Sequence, residues 1–193
     1  MRLKFLLPAF ALALSTAAAH AQAGIYLNPI FTRVSISTQD TGPFAFLGQN
    51  KTSRIFGGVM LGGYYEFSHQ PKFDVGVDLR YEIEHGNNAS LNSFLIGLRI
   101  TGHPMALGMK PYAQLMGGEG RSNSPLSPVH VTKAEYGGLV GLDLPLNRHV
   151  EWRILELGYG SVTTISSATY GGPTPIPAAK LIHASTGFVF RIP

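Results

Sequence analysis

The 193-residue sequence contains no cysteine. That excludes disulfides, thiolate metal sites, a cysteine nucleophile and a lipoprotein-type anchor. Charge is also scarce: Asp, Glu, Lys and Arg make up 13% of the residues, about half the share of ~25% in an ordinary soluble domain. The net charge of +4 comes from 15 basic and 11 acidic residues. The basic residues form no cluster, so nothing marks a nucleic-acid binder. Beyond the N-terminus no apolar run is long enough for a spanning helix, and no amphipathic helical pattern is present to build a parallel sheet. His69, His85, His103, His130 and His149 fall in expected turns or loops without metal-ligand spacing. The pieces Gly57-Gly58 and Gly117-Gly118-Glu119-Gly120 lack the strand–loop–helix setting of a phosphate cradle. Neither a metal nor a cofactor is therefore expected. What is abundant is apolar side chain, 45% of the residues, together with 23 glycines. That composition does not suit a disordered chain, and it leaves open where so much apolar surface goes.

Residues 1–23 read as a secretory signal segment, leaving residues 24–193 as the working domain. Arg2 and Lys4 give the positive start, Phe5 to Ala19 the apolar centre, and small residues allow cleavage after Ala21 or Ala23. Removing Arg2 and Lys4 leaves 13 basic residues against 11 acidic ones. The exported chain is then nearly neutral, and export without cysteine suits a bacterial envelope.

The rest of the sequence alternates with period two. From Phe73 to Glu84, the residues Phe73, Val75, Val77, Leu79, Tyr81 and Ile83 fall on one face. Asp74, Gly76, Asp78, Arg80, Glu82 and Glu84 fall on the other. The same alternation marks strands through Ile55–Phe67, Phe94–Ile100, Tyr136–Leu144 and Ile182–Ile192. Less regular strands are expected over Ile25–Ser37, Lys110–Arg121 and His149–Thr164. Eight strands result, longer than the roughly 5–6 residues of a soluble sandwich strand and long enough for the roughly 9–11 needed to cross a bilayer. Short links at Ser68–Lys72, Gly102–Lys110 and Pro145–Arg148 alternate with longer ones at Thr38–Thr52, Ser122–Thr132 and Ser166–Ala179. His85–Ser90, carrying Asn87-Asn88, suits a tight hairpin.

This pattern predicts an all-β fold, an eight-stranded antiparallel up-and-down transmembrane β-barrel. Strands in lipid must satisfy every backbone group within the sheet, so the sheet must close. The apolar face then points to lipid, and the polar face fills a narrow lumen with little room for a water channel. A tight Asn87-Asn88 turn places Arg99 opposite Gly76, between Asp74 and Asp78, and a tight Pro145–Arg148 link places Arg153 diagonal to Asp143. These are expected as ion pairs between adjacent strands. Tyr65, Phe67, Phe73, Tyr81 and Tyr136 are candidates for aromatic girdles. A soluble lipocalin-like carrier would show the same alternation with the apolar face turned inward; strand length, low charge and the last strand favour the membrane.

The last strand, Thr186-Gly187-Phe188-Val189-Phe190-Arg191-Ile192, resembles the closing strand of bacterial outer-membrane proteins. Tyr136 to Asp143 and Asn147 to Arg153, with Leu157-Gly158-Tyr159, resemble strands six and seven of the small OmpA/OmpX-like eight-stranded barrels, the outer membrane protein β-barrel domain family. The resemblance implies a Gram-negative outer-membrane location, contact with outer-membrane lipids and lipopolysaccharide, and insertion by the barrel-assembly machinery. It also implies a non-enzymatic structural or surface-interaction role, with a possible extracellular ligand at the loops. The chain departs from the family in ending Ile192-Pro193 rather than on an aromatic residue.

Some such barrels act on lipid A, and His183-x-Ser185 is similar to the His-x-Ser pair of the outer-membrane lipid A deacylase. A nucleophilic serine needs a base and a group orienting it; that group would be Glu151, Asp143 or another acid, and nothing local points to one. Both residues of the pair fall on the expected lumen face, away from lipid, so two hydrogen-bonded interior residues are the expectation, with no catalytic residues assigned. A lipid A-modifying hydrolase is the alternative. The apolar loop residues Phe44, Phe46, Leu47, Pro125, Leu126, Pro128 and Val129 are expected to pack at the barrel mouth.

Overall fold

A computed structural model describes residues 22–41, 45–86, 88–123, 130–164 and 178–192. The expected signal segment up to residue 21 lies outside these residues, as do Phe44, Asn87, Pro125, Leu126, Pro128 and Val129. Eight strands run in chain order: β1 (Gln22–Asp40), β2 (Lys51–His69), β3 (Phe73–Gly86), β4 (Ala89–Gly102), β5 (Lys110–Asn123), β6 (His130–Pro145), β7 (Val150–Val162) and β8 (Ala179–Ile192). Each pairs antiparallel with its neighbours, and β8 returns to β1 to close the barrel. A short 3-10 turn over Ala106–Gly108 interrupts the β4–β5 link. The links 70–72, 103–109 and 146–149 lie at one end of the barrel; the connections after β1, β3, β5 and β7 lie at the other.

The strands are longer than their apolar alternation alone suggests. β1 and β2 each span 19 residues, because polar segments such as Lys51-Thr52-Ser53-Arg54 continue the ladder. The β3–β4 pairing holds the expected register, with Gly76 opposite Arg99; Asn88 takes the left-handed conformation (φ 56°) that suits a tight turn.

Alternation becomes burial in the expected sense. Ile25, Leu27, Phe31, Val59, Leu61, Leu79, Phe94, Ile96, Leu98, Val140, Leu157 and Phe188 all face outward and exposed, while Asp78, Arg80, Glu82, Arg99, Asp143, Arg153 and Glu156 are buried. This is the reverse of a lipocalin, whose apolar face lines the cavity, so the lipocalin-like reading falls. Of the 11 acidic residues, all described, only Glu119 is exposed and only Asp74 half-buried. Phe67, Phe73, Trp152, Phe188 and Phe190 face outward toward the short-turn end, and Tyr81 and Tyr136 face outward further along. Tyr65 is half-buried.

The lumen is not polar throughout. At the long-connection end Val34, Phe56, Ala89, Leu91, Val162, Ala179 and Leu181 form an apolar layer with Phe46 and Leu47, which fold in from the β1–β2 connection. Phe46 stacks on Phe56 at 4.8 Å between ring centroids. The Leu47 N–H donates to Asp40 Oδ2 at 2.8 Å, and Arg54 Nη1 donates to the Leu47 carbonyl at 3.1 Å. For these two residues the expected packing at the mouth is present, and it closes that end of the lumen.

Close strand approach is paid for by glycine at a few places. A Cβ on Gly58 would lie 1.9 Å from the Ile83 carbonyl oxygen, and one on Gly118 would lie 1.9 Å from that of Phe94. Gly62 and Gly141 instead leave room on the lumen side for the rings of Tyr26 and Tyr112.

Candidate functional site: the barrel lumen

Below the apolar layer the lumen is a stack of charged side chains. Period-two geometry brings alternate residues of every strand inward, and closure then sets non-neighbouring strands face to face. At the short-turn end, Glu151 accepts Lys110 Nζ at 2.8 Å and pairs with Arg191 Nη1 at 3.3 Å. Arg191 also donates to Gln22. Glu66 accepts the Thr101 hydroxyl at 2.6 Å.

Three fully buried arginines occupy the middle. Asp143 pairs with Arg99 Nη2 at 3.0 Å and with Arg153 Nε at 3.1 Å. Glu156 pairs with Arg80 Nη1 at 3.0 Å and Arg153 Nη1 at 3.3 Å, and accepts the Tyr112 hydroxyl at 2.7 Å. Asp78 accepts Arg80 Nε at 3.2 Å and the Tyr26 hydroxyl at 2.8 Å. The Arg99 guanidinium lies 3.8 Å from the Tyr112 ring centroid and 4.3 Å from that of Tyr64; Arg153 lies 4.5 Å from Tyr26 and 4.9 Å from Tyr112. Each guanidinium thus has both carboxylate partners and a neighbouring aromatic ring, Arg80 lying 5.8 Å from the Tyr26 ring centroid, contacts that suit its delocalised charge.

Two expected ion pairs need correction. Arg99 does not pair with Asp74 or Asp78 on the adjacent strand. It reaches across the lumen to Asp143 on β6, with Glu66 on β2 at 3.8 Å, while Asp74 pairs with His69. Arg153 does pair with Asp143, but directly opposite rather than diagonally, because a register shift between Leu142 and Asp143 moves the two into line.

His183 and Ser185 both face the lumen side of β8. The Ser185 hydroxyl donates to Glu156 at 3.3 Å, and His183 Nδ1 lies 3.0 Å from Thr32 Oγ1. The acid beside Ser185 is therefore Glu156, neither Glu151 nor Asp143, and the charged stack and barrel wall separate all of them from the outer face. On that outer face Leu98, Ile100, Ala113, Leu115, Val140, Leu157 and Tyr159 line a groove of about 610 Å³. Its walls are apolar except at Gln114 and Tyr159.

Above the arginines, Glu82 and Glu84 on β3, Glu135 on β6 and His183 form a further layer. Glu135 accepts the Ser93 hydroxyl at 2.6 Å. Ligand atoms of Glu82, Glu84 and His183 all lie within 4.8 Å of one another. This grouping was invisible to sequence spacing, since β3 and β8 become neighbours only across the closed lumen.

No protein-family model matches the chain, and no curated protein matches it in sequence. Solved structures do match. Neisserial surface protein A superposes with a TM-score of 0.55 at 12% identity, covering 88% of this chain and 96% of that one. Ail, the attachment invasion locus protein of Yersinia pestis, solved in complex with the heparin analogue sucrose octasulfate, gives 0.52 at 12% identity, covering 89% and 99%. The fold is that of the small eight-stranded outer-membrane barrels. At this identity the likeness establishes architecture, and it agrees with the OmpA/OmpX-like resemblance of the strands.

Proposed function

We propose that the chain is a Gram-negative outer-membrane barrel, exported behind an N-terminal signal segment cleaved after Ala21 or Ala23, with a structural and surface-interaction role and no catalysis. The carrying observation is the inversion of faces: a continuous exposed apolar wall around a buried charged core. In water that wall would be an aggregation surface far larger than monomeric proteins tolerate; in a bilayer it is the required exterior. The filled lumen and its apolar cap support a non-conducting barrel. The Thr186–Ile192 strand supports insertion by the barrel-assembly machinery.

The partner best supported is lipopolysaccharide. With the short turns placed in the periplasm, the long-connection end faces outward. There Arg33, Lys51, Arg121, Lys133 and Lys180 are exposed, against Glu119 as the exposed acid among the described residues. Phosphorylated sugars of the surrounding leaflet match that charge. Ail was solved with a polysulfated ligand, and a second polyanion at the loops is compatible with the same rim.

Fractionation with heat-modifiable gel mobility tests the location. The expected result is a membrane-fraction protein whose mobility shifts on boiling; a soluble protein without a shift overturns the proposal. Mass spectrometry of lipid A after strong expression tests the non-enzymatic role. An unchanged spectrum is expected, and an altered mass that disappears with His183→Ala would establish the hydrolase instead.

A further inference from the structure

The layer beneath the apolar cap has too many carboxylates for its cations. Glu84 is fully buried and Glu82 is 2% exposed. Neither carboxylate oxygen of Glu84 has a hydrogen-bond partner, and Glu82 Oε2 has none either. The cation in reach is Arg80, 3.7 Å from Glu82 Oε1, and it is already committed to Glu156 and Asp78. Glu135 adds a third acid, satisfied by Ser93. A buried carboxylate without partners is expensive and needs a compensating positive charge or a proton.

We propose that Glu82, Glu84 and His183 bind a first-row divalent metal ion. Glu82 and Glu84 alternate on β3, so both carboxylates face inward; His183 comes from β8 across the lumen. The present separations of up to 4.8 Å need a contraction of about 1 Å to place two oxygens and one nitrogen at the ~2.0–2.2 Å typical of such ions. Rotation of the Glu84 side chain, whose carboxylate oxygens make no hydrogen bond of normal geometry, supplies that. Two carboxylates with one imidazole favour Zn²⁺, Mn²⁺ or Fe²⁺ over Mg²⁺ and Ca²⁺, which take oxygen donors alone. Phe56, Leu181 and Val34 close the layer from above and the arginines close it from below, so the ion enters as the barrel forms rather than afterwards.

The test uses untagged mature protein refolded from urea into detergent with Zn²⁺, then passed over a chelating resin and analysed by elemental mass spectrometry. Heat-modifiable mobility confirms that each sample is folded. Wild type is expected to retain about one equivalent of metal and to unfold at a higher urea concentration than protein refolded with chelator. Glu84→Gln, which keeps the shape, and His183→Ala are each expected to lose the metal and the shift while still folding. Ser185→Ala is expected to keep both. Metal-free wild type overturns the proposal and leaves protons as the neutralising charge, and so does metal retained equally by folded Glu84→Gln and His183→Ala, because the binding then lies at other histidines. Should Glu84→Gln fail to fold, Glu82→Gln and His183→Ala carry the same comparison.

Discussion

Arg153 offers the sharpest measurement of how the barrel is held together. It is completely buried, pairs with Asp143 at 3.1 Å and Glu156 at 3.3 Å, and packs against the rings of Tyr26 and Tyr112. Arg153→Met keeps most of the side-chain volume and removes the charge. Breaking a buried ion pair from one side costs about 3–5 kcal/mol, mostly because the remaining charge is left uncompensated. Here each carboxylate keeps a second arginine at 3.0 Å, Arg99 for Asp143 and Arg80 for Glu156. The loss should therefore fall at the lower end, about 3 kcal/mol, or roughly 150-fold in the unfolding constant. Asp143→Asn should itself destabilise, yet in the Arg153→Met background it should cost much less than alone, since it removes a carboxylate that has lost one partner. Urea unfolding in detergent micelles, followed by the fluorescence of Trp152, the sole tryptophan, measures all four proteins. Additive losses for Arg153→Met and Asp143→Asn, or a loss below about 0.5 kcal/mol for Arg153→Met alone, would refute the view that the lumen stack acts as one network.

Other expectations follow from the same geometry. Leu98→Arg, on the outward face of a strand centre, should cost about 2–4 kcal/mol in lipid vesicles, whereas Leu107→Arg, in a turn and 87% exposed, should be neutral; equal effects would argue against a lipid-facing wall. Phe46→Ala removes a fully buried ring from the cap and should lower stability by about 3–5 kcal/mol in the same urea assay, while a near-zero loss would mean the cap does not hold in solution. Gly58→Ala should abolish the heat-shifted folded band, because its Cβ meets a backbone oxygen at 1.9 Å, and Gly57→Ala should not, because its nearest contact is 3.5 Å away on Phe31. Intact mass of the exported protein should report cleavage after Ala21, which preserves Gln22 as the partner of Arg191; a start at Gly24 would show that this contact is dispensable.

The alternation of Phe73 to Glu84 was legible because each residue obeys one strict rule, inward or outward, and the tight link expected after β3 gave the neighbouring register to the residue. Strand ends were harder to read: Lys51–Arg54 and Gln39-Asp40 project beyond the apolar wall, so their polarity carries no alternation. The partners of Arg99 could not be read from register. Register names the residue on the next strand, but a guanidinium on a long side chain reaches across a closed lumen to strands two places away. The apolar cap was missed for a related reason. Phe56, Leu91 and Leu181 stand on the inner face, where the expectation was polar, and their partners arrive from the β1–β2 connection. Glu156 and Glu84 carry no local mark in sequence. Their importance arises only when the β7–β8 register sets Glu156 opposite Ser185 and closure sets Glu84 on β3 across the interior from His183 on β8.

The seam between β1 and β8 joins residues 169 positions apart at its base. A ribosome makes β1 first and β8 last, so the edge of β1 that pairs with β8 remains open throughout synthesis. Contacts this far apart in sequence form slowly, and an open strand edge is a template for wrong pairing. A half-built barrel therefore keeps an open edge, and correct folding requires that the β1 edge meet no wrong strand before β8 arrives.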